Sequence, residues 1–302
     1  MRSFKLLLHS VIVILLLMGS FLLKSHYQSL LRTKGYPIPG GTQLLILGDS
    51  HARKNLDPSL FPAVVNQAQS AEFTYFSEAK LRAILRHAPR LRTVLISISY
   101  HSLGEFPLYE GAEMTRRYHS LLDTGFYREK LSREVPDPAY LTRWIGDHSI
   151  IPIGWLNDVA EYHLSRQPFE GEFEPAEGSV IGKEKSLTEA LKRHYSYHGI
   201  PTGVSALKAD YLRRIAKLCQ AKGIRLIIVN TPVHPRYLRA VPQTHIRYTD
   251  SLAVSLSRYG AKYWNYSAHP FPDKAFYDYD HLNADGAKQF SRILAQRMAK
   301  GD

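Results

Sequence analysis

A chain of 302 residues, 44% of them hydrophobic, has enough apolar material for one large domain or two small ones, and nothing in its composition suggests disorder. Thirty-nine basic residues against 27 acidic ones leave a formal charge of +12, which favours anionic lipid or anionic polymer as surroundings. The basic residues are scattered, and no zinc-finger spacing, RRM-like aromatic motif or long Lys/Arg block occurs, so a solvated basic surface is expected and nucleic-acid binding is not. Cys219 is the single cysteine, which excludes an intrachain disulfide and a cysteine-based metal cluster.

The chain opens with a five-residue tail, residues 1–5, carrying Arg2 and Lys5. Residues 6–23, LLLHSVIVILLLMGSFLL, have only His9, Ser10 and Ser20 as clearly polar members and are just long enough for a helix across a bilayer core. A cleaved signal peptide would start in the same way. No small-x-small site follows Leu23, where KSHYQSLL begins, and an uncleaved signal anchor is the preferred reading. Lys24, Arg32 and Lys34 on the far side make the positive-inside count indecisive; a short tail inside and a large domain outside is the simpler insertion. Residues 24–41 end in TKGYPIPGG, whose Pro and Gly suit a juxtamembrane linker.

The folded domain is expected over residues 42–302. Strands are predicted at 43–47, 63–66 and 93–99, with a helix over about 73–87 whose Leu81, Ile84, Leu85 and Ala88 share a face. From about 105 to 200 the pattern breaks into Tyr-, Trp-, Arg- and Pro-rich sequence, read as an inserted helical or irregular region in which residues 170–186 look like an exposed loop. Alternation then returns. Val204, Leu207, Tyr211, Ile215 and Leu218 form a helical stripe ended by Lys222 and Gly223, and residues 224–230 read as a strand. A helix over 250–259, a strand over 262–266 and a helix over 284–298 with Asn283 as N-cap complete the pattern. Such alternation implies an α/β fold with a central parallel sheet covered by helices.

Two short stretches carry chemistry. The first strand runs into Gly48-Asp49-Ser50-His51, and the carboxyl ends of parallel strands are where α/β sheets place their sites. Just before the last helix stand Asp278, Asp280 and His281; a carboxylate can hold such a histidine in one tautomer, and the histidine can then take a proton from a serine hydroxyl. Each stretch alone also reads as an ordinary turn or helix cap.

Together, GDSH at 48–51 and DYDHLNADGA at 278–287 resemble the SGNH (GDSL-like) hydrolase superfamily. The resemblance implies a three-layer fold with Ser50 as nucleophile, His281 as general base and Asp278 as the residue orienting it, with Asp280 as the substitute acid. It also implies oxyanion donors in two further blocks. NQAQSAE at 66–72 has no glycine, so the backbone N–H of Ser70 is the candidate; ISISYHSLGE at 96–105 lacks the usual Asn, and the His101 ring is the candidate there. Losing one such donor costs on the order of 100-fold or more in rate. The apolar N-terminus, the insertion and the DHLN ending resemble membrane-anchored, envelope-facing members linked to O-acylation, as in teichoic-acid D-alanylation and alginate acetylation. That likeness implies a single-pass cell-membrane protein facing the periplasm or exterior. Its N-terminal helix would lie in membrane lipid, an acylated or anionic envelope polysaccharide would be its substrate, and a membrane acyltransferase is a candidate partner. The chemistry requires no metal or organic cofactor.

Two other readings stand beside this one. Asp49 and His51 have the Asp-x-His spacing of metallophosphoesterases, but the later Gly-Asn-His and Gly-His-x-His stretches are missing. A non-catalytic polysaccharide-binding or scaffold protein on a degenerate SGNH fold is the alternative, in which Trp144, Trp155, Tyr195 and Tyr197 could stack on sugar rings if they are not core. His101 and His234 have structural readings as hydrogen-bonded loop histidines, His234 fixed between two prolines.

Overall fold

The computed structural model describes residues 9–16, 18–19, 22–23, 38–105, 129, 173–182, 184–197 and 199–301. In chain order the elements are β1 (Leu44–Leu47), α1 (Ser50–Asn55), β2 (Val64–Asn66), α2 (Thr74–Ile84), β3 (Thr93–Ser97), α3 (Glu184–Tyr195), β4 (Ser196–Tyr197) and β5 (Ile200–Pro201). They continue with α4 (Ala206–Ala221), β6 (Arg225–Asn230), α5 (Pro235–Ala240), α6 (Gln243–Ser255), β7 (Lys262–Asn265) and α7 (Ala284–Ala299).

Five strands form a wholly parallel sheet in the order β2-β1-β3-β6-β7, and β4 and β5 make a separate antiparallel pair. The three central strands, β1, β3 and β6, are mainly aliphatic because both of their faces are covered. Leu45, Leu47, Val94, Ile96, Leu226 and Ile228 face one layer, where Ile84 of α2, Leu212 and Ile215 of α4 and Leu252 of α6 pack on them. Leu44, Ile46, Leu95, Ile227 and Val229 alternate to the other face, against Ala52 of α1 and Phe290 and Leu294 of α7. The result is the expected three-layer α/β arrangement. A third apolar cluster sits outside these layers: Leu187, Ala190 and Tyr195 of α3 with Tyr100, Val233, Tyr237, Val241 and Tyr279.

The chain leaves β1 outward to β2 and then crosses back to β3, so the direction of winding reverses between β1 and β3. That is the switch point at which loops at the carboxyl edge splay apart and leave a crevice. The last loop reaches this crevice because α7 lies against α1. The Asp57 N–H donates to Ser291 Oγ at 2.8 Å, and the Leu282 N–H donates to Asn55 Oδ1 at 3.0 Å.

The expected strands appear with small shifts at their ends, and Asn283 caps α7 by accepting from the Gly286 N–H at 3.0 Å. Two boundaries differ. The helix expected at 250–259 begins at Gln243, since its first buried positions are His245 and Thr249, which do not read as an apolar stripe. Within the stretch expected as loop, 173–182 is irregular, but α3 starts at Glu184. Most of the expected insertion, 106–128 and 130–172, lies outside the described residues, as do the 1–5 tail, residues 24–37 of the linker, and residues 6–8, 17, 20 and 21 of the apolar N-terminus. Residues 9–16 are helical, and among the described residues no helix is long and apolar enough to cross a membrane.

Candidate active site

β1 must end abruptly. Gly48 takes φ +126°, and a Cβ there would stand 2.8 Å from the Ser97 carbonyl oxygen of β3, so only glycine lets the chain pass this close and turn. Asp49 then caps α1 by accepting from the His51 N–H at 3.0 Å, which sets Ser50 as the first helical residue at the crevice.

The other half is a tight loop between Phe276 and Leu282, which bridge each other in antiparallel fashion. Asp278 organises it. One carboxylate oxygen accepts from the Asp280 N–H at 3.0 Å and the His281 N–H at 2.7 Å, and both oxygens stand 3.1 Å from His281 Nδ1. With Nδ1–H held by Asp278, Nε2 carries the lone pair, and it meets Ser50 Oγ at 2.8 Å. Ser50, His281 and Asp278 are therefore brought together from positions 231 and 3 residues apart in sequence. A hydroxyl hydrogen-bonded to an imidazole whose far nitrogen faces a carboxylate can lose its proton as it attacks an electrophilic carbon.

Around this line the structure packs more histidines than the sequence suggested. The His51 ring centroid lies 4.8 Å from His281 and 4.9 Å from His101, and His101 stacks on His194 at 4.0 Å. Asp280 sits among them, 1% exposed, with Oδ2 3.5 Å from His281 Nδ1 and 3.7 Å from Nε2 of both His51 and His194. Burial alone would raise the Asp280 pKa, but the charges of His281 and His194 and the His51 ring hold it well below the usual carboxylate range. For His281 burial disfavours the charged ring, yet Asp280 and then Asp278 outweigh it and raise its pKa. Burial dominates at His51 and His194 and lowers the pKa of both.

Asp49 and His51 do not form the metallophosphoesterase pair. The Asp49 carboxylate accepts from Ser102 Oγ at 2.7 Å and faces His101 Nε2 at 3.4 Å, whereas His51 Nδ1 meets Thr231 Oγ1 at 3.1 Å. His101 thus spends one nitrogen on Asp49, while its buried Nδ1 has no hydrogen-bond partner among the described residues. Ser70 is the second residue of the turn closed by the Glu72 N–H on the Gln69 carbonyl, so its own N–H is not used by that turn. His234 is a cap: its Nδ1 accepts from the Arg236 N–H, and its Nε2 lies 3.2 Å from Asp273. Tyr195 is buried core, hydrogen-bonded to Tyr237; Trp144 and Trp155 lie outside the described residues.

Three contributors escaped the sequence reading. Asn55, fully buried, donates to Thr231 Oγ1 at 3.0 Å and accepts from Leu282, tying α1 to the His281 loop. Its spacing of four from His51 puts both on one helix face, a signal the sequence did contain. Thr231 at the end of β6 and His194 on α3 had none.

The parallel sheet, the serine after β1 and the Asp-x-x-His loop before the last helix make the chain SGNH-like in fold. A family model without a stated function matches residues 190–301, less than half of the chain. No curated protein sequence matches. Among solved structures the chain is similar to a Streptococcus pneumonia protein described as a platelet activating factor, at 13% identity and TM-score 0.43, covering 94% of this chain and 98% of that one. It is similar also to a GDSL-like lipase from Bacteroides thetaiotaomicron, at 11% and 0.38, covering 92% and 96%. An acetyl-xylooligosaccharide esterase from Geobacillus Stearmophilus matches at 11% and 0.40, covering 86% and 94%. Likeness at these scores says nothing of what this chain acts on.

Proposed function

We propose that the protein is a membrane-anchored serine esterase or O-acyltransferase that acts on ester-linked acyl groups of envelope polysaccharide through an acyl-enzyme. The observation that carries this reading is the 2.8 Å contact of Ser50 Oγ with a His281 ring whose other nitrogen is held by Asp278. Ser50 Oγ attacks the ester carbonyl while His281 Nε2 takes its proton; the alcohol leaves with that proton, and Ser50 keeps the acyl group. Water or a sugar hydroxyl, deprotonated by His281, then attacks the acyl-serine, giving hydrolysis or transfer. The Ser70 N–H remains the candidate backbone oxyanion donor; the His101 ring, whose Nε2 faces the Asp49 carboxylate, can donate from Nδ1 only when both its nitrogens carry protons.

Anchoring is supported by the helical residues 9–16, in which Val11, Ile12, Val13, Ile14, Leu15 and Leu16 are all exposed apolar side chains. The formal charge of +12 suits an anionic polymer or lipid surface. A membrane acyltransferase would be the partner supplying activated acyl groups if transfer is the outcome.

The test is intact mass of the full chain in detergent after treatment with a fluorophosphonate, beside Ser50→Ala and His281→Ala. One adduct in the wild type, absent from Ser50→Ala and slowed by about 100-fold or more in His281→Ala, is the expected result. A folded wild-type chain that takes no adduct would replace this reading with the non-catalytic polysaccharide-binding one.

A further inference from the structure

We propose that the buried cluster beside Ser50 is a binding site for one divalent transition-metal ion of the Zn2+ type, held by His51, Asp280 and His281, whose occupation withdraws His281 from Ser50. The binding half stands alone; the inhibitory half rests on the function proposed above.

The centre of the site is a buried carboxylate whose contacts to the surrounding rings are all longer than ordinary hydrogen bonds. Asp280 is 1% exposed and His51 0%, and among the described residues neither oxygen of Asp280 nor Nε2 of His51 has a partner at hydrogen-bond geometry. Unsatisfied buried groups of this kind are costly, and a water or ion is their usual explanation. Three ring nitrogens surround one oxygen, Oδ2, at 3.5 Å (His281 Nδ1), 3.7 Å (His51 Nε2) and 3.7 Å (His194 Nε2). Those separations are long for hydrogen bonds. They are somewhat wider than the roughly 3.3–3.5 Å between atoms bound at about 2.0–2.2 Å in tetrahedral geometry, so the rings and the carboxylate would close on an ion as it binds. Donor atoms of His51, Asp280 and His281 all fall within 4.8 Å of one another.

The outer hydrogen bonds also suit a metal. Metal-bound imidazoles hand their far N–H to a partner, which fixes the ring and leaves the near nitrogen's lone pair on the ion. The far nitrogen of His51, Nδ1, meets Thr231 Oγ1 at 3.1 Å, and that of His194 meets the Tyr237 hydroxyl at 2.6 Å. Tyr237 donates its own proton to Tyr195, so it accepts from His194, and His194 Nε2 turns a lone pair toward Asp280. His194 is thereby a fourth ligand in waiting. Arg193 is a cation beside the carboxylate, its side chain 52% exposed, 3.9 Å from Oδ2, with Nε 3.4 Å from His194 Nε2. It stands at the rim, where its side chain can swing into solvent as an ion enters. Two or three imidazoles and one carboxylate select Zn2+, Ni2+ or Cu2+ over Mg2+ or Ca2+.

His281 cannot serve both sites. To bind the ion through Nδ1 it must give up its bond to Asp278, and through Nε2 its contact with Ser50. The metal-loaded chain is therefore a resting form of the enzyme.

The test titrates the chelator-treated full chain with Zn2+ calorimetrically, and follows fluorophosphonate labelling at each occupancy. The expected result is one equivalent bound in the wild type and equally in Ser50→Ala, at least tenfold weaker binding in His51→Gln and Asp280→Asn, and labelling that falls in step with occupancy. Should those two variants misfold, Co2+ absorption by the wild type decides, a strong visible band reporting tetrahedral nitrogen and oxygen ligands. No stoichiometric binding, binding unchanged in Asp280→Asn, or a weak aqueous-like Co2+ spectrum would overturn the site. Labelling unchanged at full occupancy would overturn the inhibition. One bound equivalent in a chain that never labels would keep the metal site and sink the serine-enzyme reading.

Discussion

At the scale of single residues, the division of labour in the DYDH loop is the informative detail. Asp278 makes the short contacts to His281 and shapes the backbone, whereas Asp280, buried behind it, is the first of the two charges that favour the imidazolium. A base whose pKa is raised must be titrated at higher pH before it can accept a proton. The labelling rate of chelator-treated protein should therefore rise with pH through a midpoint above the ordinary histidine value, and Asp280→Asn should move that midpoint down. A profile that falls with pH, or one unmoved by Asp280→Asn, would contradict this assignment. Asn55→Ala removes one donor and one acceptor from buried partners, Thr231 and Leu282. It should cost about 1–3 kcal/mol in denaturant unfolding and also slow labelling, since Leu282 follows His281.

At the scale of elements, α7 is located by one close approach. A Cβ on Gly286 would lie 2.2 Å from the Ala275 carbonyl oxygen, so the first turn of α7 rests directly on the backbone that leads into the Asp278 loop. Gly286→Ala should push the two apart, lowering the unfolding midpoint by about 1–3 kcal/mol equivalent and reducing labelling more than its stability loss explains. The same elements mark what a sequence can disclose. β1, β3 and β6 were legible because strands covered on both faces are aliphatic runs, and Ser50 and His281 because their motifs sit directly at element ends. α6 was cut short because its buried face opens with His245 and Thr249. His194 was invisible because its place in the cluster comes from α3 packing on α5, a contact between segments with no shared pattern. Asp280 was read only as a substitute for Asp278; a two-residue offset says nothing about which carboxylate is buried.

At the scale of the whole molecule, the core that holds β6 against α4 contains the chain's single thiol. Cys219 is 1% exposed, and burial pushes its pKa up to about 12, so the native thiol is neither accessible nor ionised. Alkylation of the folded protein should be negligible at neutral pH and should appear, with one adduct, across the same denaturant range in which the far-UV signal is lost. Fast labelling under native conditions would mean that the α4 side of the sheet opens locally.

The separation of 231 positions between Ser50 and His281 also has a consequence for biosynthesis. Ser50 is made well before its partner, and the loop that carries His281 rests on α7 (Ala284–Ala299), which follows it in the chain. A nascent chain therefore carries an inert serine through synthesis, and premature termination anywhere before α7 yields a harmless product rather than an unregulated one. Activity therefore reports that α7 has been made and has docked, because that helix completes the site.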